Sequence, residues 1–194
     1  MNTQEQNDDA VTRLGKLADD LQKTYPAAGE RVAKAIEPVD DAIRRIGVTY
    51  REEHYAENRR RIIEKATRAN IAVPDGGRVP DTLICNDDEE GTSVEYILCA
   101  SRMVVEGKRD CRLAVSVCRY REGERDWEDH DGEVLTSPVI TIEEIRTLLP
   151  DQVPLSVRVR ILDVIMDFAK AYEEHVRKER KALLNGSADP QPTK

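Results

Sequence analysis

Two carboxylates and a lysine have the order along this chain that phosphodiester chemistry would need. Pro80-Asp81 precedes a short apolar run, and Glu106-Gly107-Lys108 follows a longer one. In a Mg²⁺-dependent nuclease of PD-(D/E)xK type, carboxylates on neighbouring strands hold the ion and a lysine steadies the attacking water. Asp81, Glu106 and Lys108 are therefore one candidate catalytic set. The pattern is short, and about two acid-x-Lys matches arise by chance in so acidic a chain. The second match is Glu179-Arg180-Lys181. Gly107-Lys108 also reads as a hairpin turn.

Two acidic segments invite a calcium reading. An EF-hand loop needs oxygen ligands at positions one, three and five, Gly at six and a bidentate Glu at twelve. With Gly91 at six, Asn86, Asp88 and Glu90 fit but Ile97 stands at twelve; with Gly132 at six, Trp127 and Pro138 stand at one and twelve. Both loops fail at the bidentate ligand. The sequence assigns no metal and no cofactor.

Cys85, Cys99, Cys111 and Cys118 lie within apolar runs without a C-x-x-C pair, which is neither zinc spacing nor a secreted disulfide framework. They read as buried thiols, with Cys99 and Cys118 on one sheet face. His54 and His175 fall on charged helical stretches, and His130 sits between Asp129 and Asp131. No H-E-x-x-H, G-x-S-x-G, Walker or G-x-G-x-x-G pattern occurs. The basic clusters Arg59-Arg60-Arg61 and Arg177-Lys178 with Arg180-Lys181 are interleaved with glutamates, which suits solvated helices with internal pairs.

Charge separates the partner classes. The 194 residues carry a formal net charge of -8. Residues 71–154 alone hold nineteen acidic and nine basic groups. Such a surface repels duplex DNA and anionic membranes and attracts a basic protein. The partner-binding candidates are Asp87, Asp88, Glu89 and Glu90 in one acidic loop. Asp126, Trp127, Glu128, Asp129 and Asp131 form the other. No apolar run spans a bilayer, and the polar start Met1–Ala10 lacks a secretory pattern, so a cytoplasmic location is expected.

The elements that must position these residues follow from periodicity. Val94, Tyr96, Leu98 and Ala100 alternate with Ile97, Cys99 and Ser101. After the Glu106–Arg109 turn, Leu113, Val115 and Val117 alternate with Ala114, Ser116 and Cys118. This is a β-hairpin over 93–121. A short strand over 82–85 precedes it. A polar loop over 122–132 follows, then an edge strand over 133–140 carrying Pro138. Thr141-x-x-Glu144 reads as a capping box opening a short helix.

Upstream, a helix is expected over 9–24, broken at Tyr25-Pro26. Val32, Ile36, Val39, Ile43, Ile46 and Tyr50 form a heptad-like seam suited to a second copy, with a kink or restart at Pro38. Tyr55, Ile62, Ala66 and Ala69 mark a weaker stripe beyond it. The last helix, from about 154 to 184, is apolar nearly all round up to Phe168 and charged thereafter.

The expected fold is α+β. A small antiparallel sheet of three or four strands packs on a long C-terminal helix, preceded by an N-terminal helical hairpin or bundle. The expected divisions are 1–8 disordered, 9–70 helical, 71–184 α+β and 185–194 a flexible tail. The leading function is a non-catalytic regulatory or inhibitor protein that binds a basic protein partner and forms a homodimer through its helices. The alternatives are the Mg²⁺-dependent nuclease and a structural homo-oligomeric module.

Overall fold

The computed structural model describes residues 3–69, 71, 73–74, 76–89, 91–128 and 134–186. Helix α1 spans Thr3–Ile46 and α2 spans Tyr55–Ala69. Strands β1 (Leu83–Glu89), β2 (Thr92–Val105), β3 (Lys108–Glu128) and β4 (Val134–Leu148) follow, and α3 (Leu155–Gly186) closes the chain. The strands form one antiparallel sheet in the order β1-β2-β3-β4. This is the α+β class that the alternation implies.

The central hairpin has the register set by its side-chain pattern. Leu98 pairs with Val115 and Ala100 with Leu113, and all four are buried on one face. The turn is two residues long, since Val105 pairs with Lys108. Glu106 and Gly107 both have positive φ, 50° and 76°, which is the type I′ geometry that matches the twist of the flanking strands.

That face carries the main core. Val94, Tyr96, Leu98, Leu113, Val115 and Val117 meet Val157, Ile161, Ile165, Phe168 and Tyr172 of α3 and Ile43 of α1. The Phe168 and Tyr172 rings stack, and Tyr50 leans on both. The heptad seam is consumed here: Ile36, Val39, Ile43 and Tyr50 pack into this core within one chain, while Ile46 is exposed.

The opposite face holds a smaller cluster. Ala56 and Ile63 of α2 pack on Cys118, Tyr120 and Ile140. The two N-terminal helices therefore lie on opposite faces of the sheet. The buried stripe of α2 is Ala56, Ile63 and Ala66, one position off the expected Tyr55–Ile62 line.

Four local expectations yield to longer-range contacts. First, α1 runs through Pro26 and Pro38 instead of breaking at Tyr25-Pro26. Each proline removes a helical donor, and packing downstream carries the helix past them. It ends at Gly47, whose φ of 72° lets its N–H reach the Ile43 carbonyl at 2.8 Å. Second, Thr141–Glu144 is strand rather than a capped helix, because β4 keeps pairing with β3 up to Val115–Leu148. Third, 122–128 is strand, not loop. Fourth, only one stripe of α3 is buried, and Val159 and Met166 face solvent. Pro138 does sit on an edge strand, opposite Glu124. No helix among the described residues is long and apolar enough to cross a membrane.

Candidate functional site

The most concentrated chemistry lies under the start of α2, at a residue whose sequence neighbours are all polar. The segment before α2 crosses the free edge of β2, where Tyr50 and Ala100 exchange backbone bonds of 2.8 and 2.7 Å. His54 then caps α2. Its N–H donates to Glu57 Oε2 at 3.1 Å, which is half of a capping box, and Arg51 grips the same carboxylate. Burial would raise the Glu57 pKa, but these hydrogen bonds and the Arg51 charge hold it below its ordinary value.

This cap turns the His54 ring into the sheet. Nδ1 lies 3.1 Å from Glu95 Oε2 of β2, and Nε2 lies 2.9 Å from Ser116 Oγ of β3. Glu95 pairs with Cys118 in the register, and Ser116 is the same-face neighbour of Cys118. The donor atoms of His54, Glu95 and Cys118 all lie within 4.8 Å of one another. All four residues are buried. Burial, then the Glu95 and Glu57 charges, push the Cys118 thiol up to about 12. Among the described residues this is the one group of three or more His, Cys, Asp or Glu side chains close enough to share an ion.

Ser116, His54 and Glu95 also have the order of nucleophile, base and orienting acid. The hydroxyl, however, lies beneath α2 and the strand backbone, wholly buried, so a substrate carbonyl has no path to it in this conformation.

The nuclease set is dispersed. Asp81 stands just before β1, whose Leu83 pairs with Ile97. The Thr82 carbonyl accepts from the Leu98 N–H, so Asp81 stands about level with Cys99, and Glu106 lies seven residues further on, roughly 23 Å away at strand rise. Asp81 pairs instead with Arg78, while Glu106 is exposed in the hairpin turn and Lys108 is exposed as the first residue of β3. The spacing in sequence is correct, but the antiparallel register leaves Asp81 beside the middle of β2 and puts Glu106-Gly107-Lys108 at the tip of the central hairpin.

The acidic candidates, in contrast, gather at one end. Asp88 pairs with Ser93, and Ser93 with Tyr120, so the β1–β2 turn stands beside the point where β3 leaves the sheet. Beyond Tyr120, β3 pairs with β4 alone, as far as Glu128 opposite Val134. The result is a two-stranded ribbon projecting past the sheet. Glu122, Glu124 and Asp126 line one of its faces and are exposed, with Arg121 and Arg125 on the other. Asp126 accepts a hydrogen bond from Thr136 at 2.8 Å. Asp87 is half exposed, 4.0 Å from Arg160 of α3. Trp127 and Glu128 lie on β3 opposite Leu135 and Val134. Glu90, Asp129, Asp131 and His130 lie outside the described residues.

Sequence reasoning missed Glu122 and Glu124, because that stretch reads as loop. It also missed His54, although Glu95 between Val94 and Tyr96 was a signal: a carboxylate inside an apolar strand needs a buried partner. His175 is half buried with its ring centroid 5.1 Å from that of Tyr50. Arg60 and Arg177 pair within their helices, with Glu64 and Glu173, and Arg59 ties down the carbonyl of Gly76. The four cysteines are free and buried. Cys99 and Cys118 share a face but pair with Ala114 and Glu95, four positions apart, not with each other.

No family model, no curated protein and no solved structure matches this chain.

Proposed function

We propose that this chain is a non-catalytic binding protein that engages a basic protein partner through the acidic end of its sheet. The observation that supports it is the ribbon beyond Tyr120, which carries Glu122, Glu124 and Asp126 on one face beside the Asp87–Glu89 strand end. An isolated two-stranded ribbon is marginal by itself in water. A ribbon that projects, carries its acids on one face and is anchored at its root by Ile140 against α2 is suited to docking. Its acids create a field that draws in cations and repels nucleic acid and anionic lipid.

The cluster around His54 holds segments together and is closed to substrate, so it supports no enzymatic reading. The test is hydrogen–deuterium exchange with and without a strongly basic probe protein. Binding should protect residues 87–89 and 122–128 and leave the α3 face unchanged. Protection centred elsewhere would remove the proposal.

A further inference from the structure

We propose that His54 Nδ1, the Glu95 carboxylate and the Cys118 thiolate form a site for one divalent transition-metal ion of the zinc class. Three features of the geometry carry this.

The first is the gap between His54 and Glu95. Ser116 Oγ sits 2.9 Å from Nε2, so a ring that donates there turns the Nδ1 lone pair towards Glu95 Oε2 at 3.1 Å. A lone pair and a carboxylate oxygen at that distance need a positive centre between them, either a proton or a metal ion. The second is the donor set. Imidazole, carboxylate and thiolate are all zinc ligands, and bonds of about 2.0–2.3 Å place tetrahedral donors roughly 3.3–3.8 Å apart. Donors that already lie within 4.8 Å of one another close on an ion with shifts of about an ångström or less. Three protein ligands leave the fourth position to a water molecule.

The third is charge and support. A divalent cation with one carboxylate and one thiolate is neutral overall, which offsets the cost of burying charge. Binding removes the thiol proton from Cys118 and the proton between His54 and Glu95, and both pass to solvent. Ser116 on the far ring nitrogen is the outer hydrogen bond that metal-binding histidines need, and Glu57 fixes the histidine backbone. The ligands come from the α2 cap, β2 and β3, so an ion here would pin the helix to the sheet.

The test uses the full chain, purified without chelator and refolded with Zn²⁺ or Co²⁺. Wild type should retain one equivalent of zinc after dialysis. Its cobalt form should show a near-ultraviolet thiolate-to-cobalt band. Cys118→Ser should lose the band, and Cys99→Ser, a buried thiol on the same face, should keep it. Ser116→Ala should weaken the metal by about 10–100-fold. A folded wild type that takes up neither metal would overturn the proposal. So would a cobalt–thiolate band absent from Cys99→Ser, or one that survives in Cys118→Ser. If Cys118→Ser does not fold, wild-type stoichiometry and the Cys99→Ser spectrum still decide.

Discussion

Asp40 Oδ1 accepts the backbone N–H of Leu113 at 2.7 Å. β4 ends at Leu148, opposite Val115, so it does not extend to Leu113. A helix side chain satisfies that donor instead. Arg112 pairs with the same carboxylate at 2.8 Å, so one aspartate joins α1 to β3. Replacing Asp40 with Ala leaves a buried N–H without its acceptor and Arg112 without its counter-charge. The expected loss is about 2–3 kcal/mol, read from the urea midpoint at constant slope.

The β2–β3 turn contains the one non-glycine residue with positive φ among those described, Glu106 at 50°. Asn tolerates this region better than Glu. Glu106→Asn should therefore stabilise the chain by roughly 0.5–1 kcal/mol, and Gly107→Ala should destabilise it by about 1–2 kcal/mol. Thermal melts of the two variants should move in opposite directions.

Val115 is completely buried at the centre of the main core, between Leu98 and Leu148. Val115→Asp places a carboxylate there without a partner and should abolish folding. A variant with native far-ultraviolet dichroism and unchanged melting temperature would contradict the register.

Alkali should unfold the protein well before the arginines titrate. Burial pushes Cys99 from 9.0 to about 12, and Tyr50, Tyr120 and Tyr172 from 10.0 to about 12. The folded chain keeps these protons after the unfolded chain has released its own. Their contribution to stability is complete below about pH 9 and is lost as pH rises toward 12. Urea midpoints measured from pH 7 to 11 should stay level to about pH 9 and then fall.

How much of this was legible follows from where each signal resides. The 93–121 hairpin was readable because alternation, a Gly-led turn and apolar content all agree. β4 was misread at Thr141–Glu144 because a capping box is local, whereas the pairing that overrides it comes from β3. α1 passes its prolines for the same reason: Ile36, Val39 and Ile43 are held by α3 and the sheet. His54 stands in Arg51-Glu52-Glu53-His54, which reads as a solvated run. Its charges are paired with Glu57, Arg61 and Arg78, and Thr82 donates a hydrogen bond to Glu52; these partners are distant or only partly local, and this lets the imidazole go inside. The acidic loops were visible as composition. Their meeting at one end of the sheet depends on the β1-β2-β3 register, which composition does not encode.

The central claim is that the acidic end of the sheet is a docking surface, and association kinetics test it most directly. The rate constant for a strongly basic probe protein would be measured against ionic strength. Wild type would be compared with Asp87→Asn/Glu122→Gln/Glu124→Gln/Asp126→Asn, and with Asp87→Asn/Asp88→Asn/Glu89→Gln/Glu90→Gln. Exposed charges are screened over about 8–10 Å near physiological salt. The wild-type rate should therefore fall steeply as salt rises. Both variants should associate more slowly and lose most of that dependence, with melting temperatures close to wild type. Equal rates for all three proteins, flat with salt, would contradict the account.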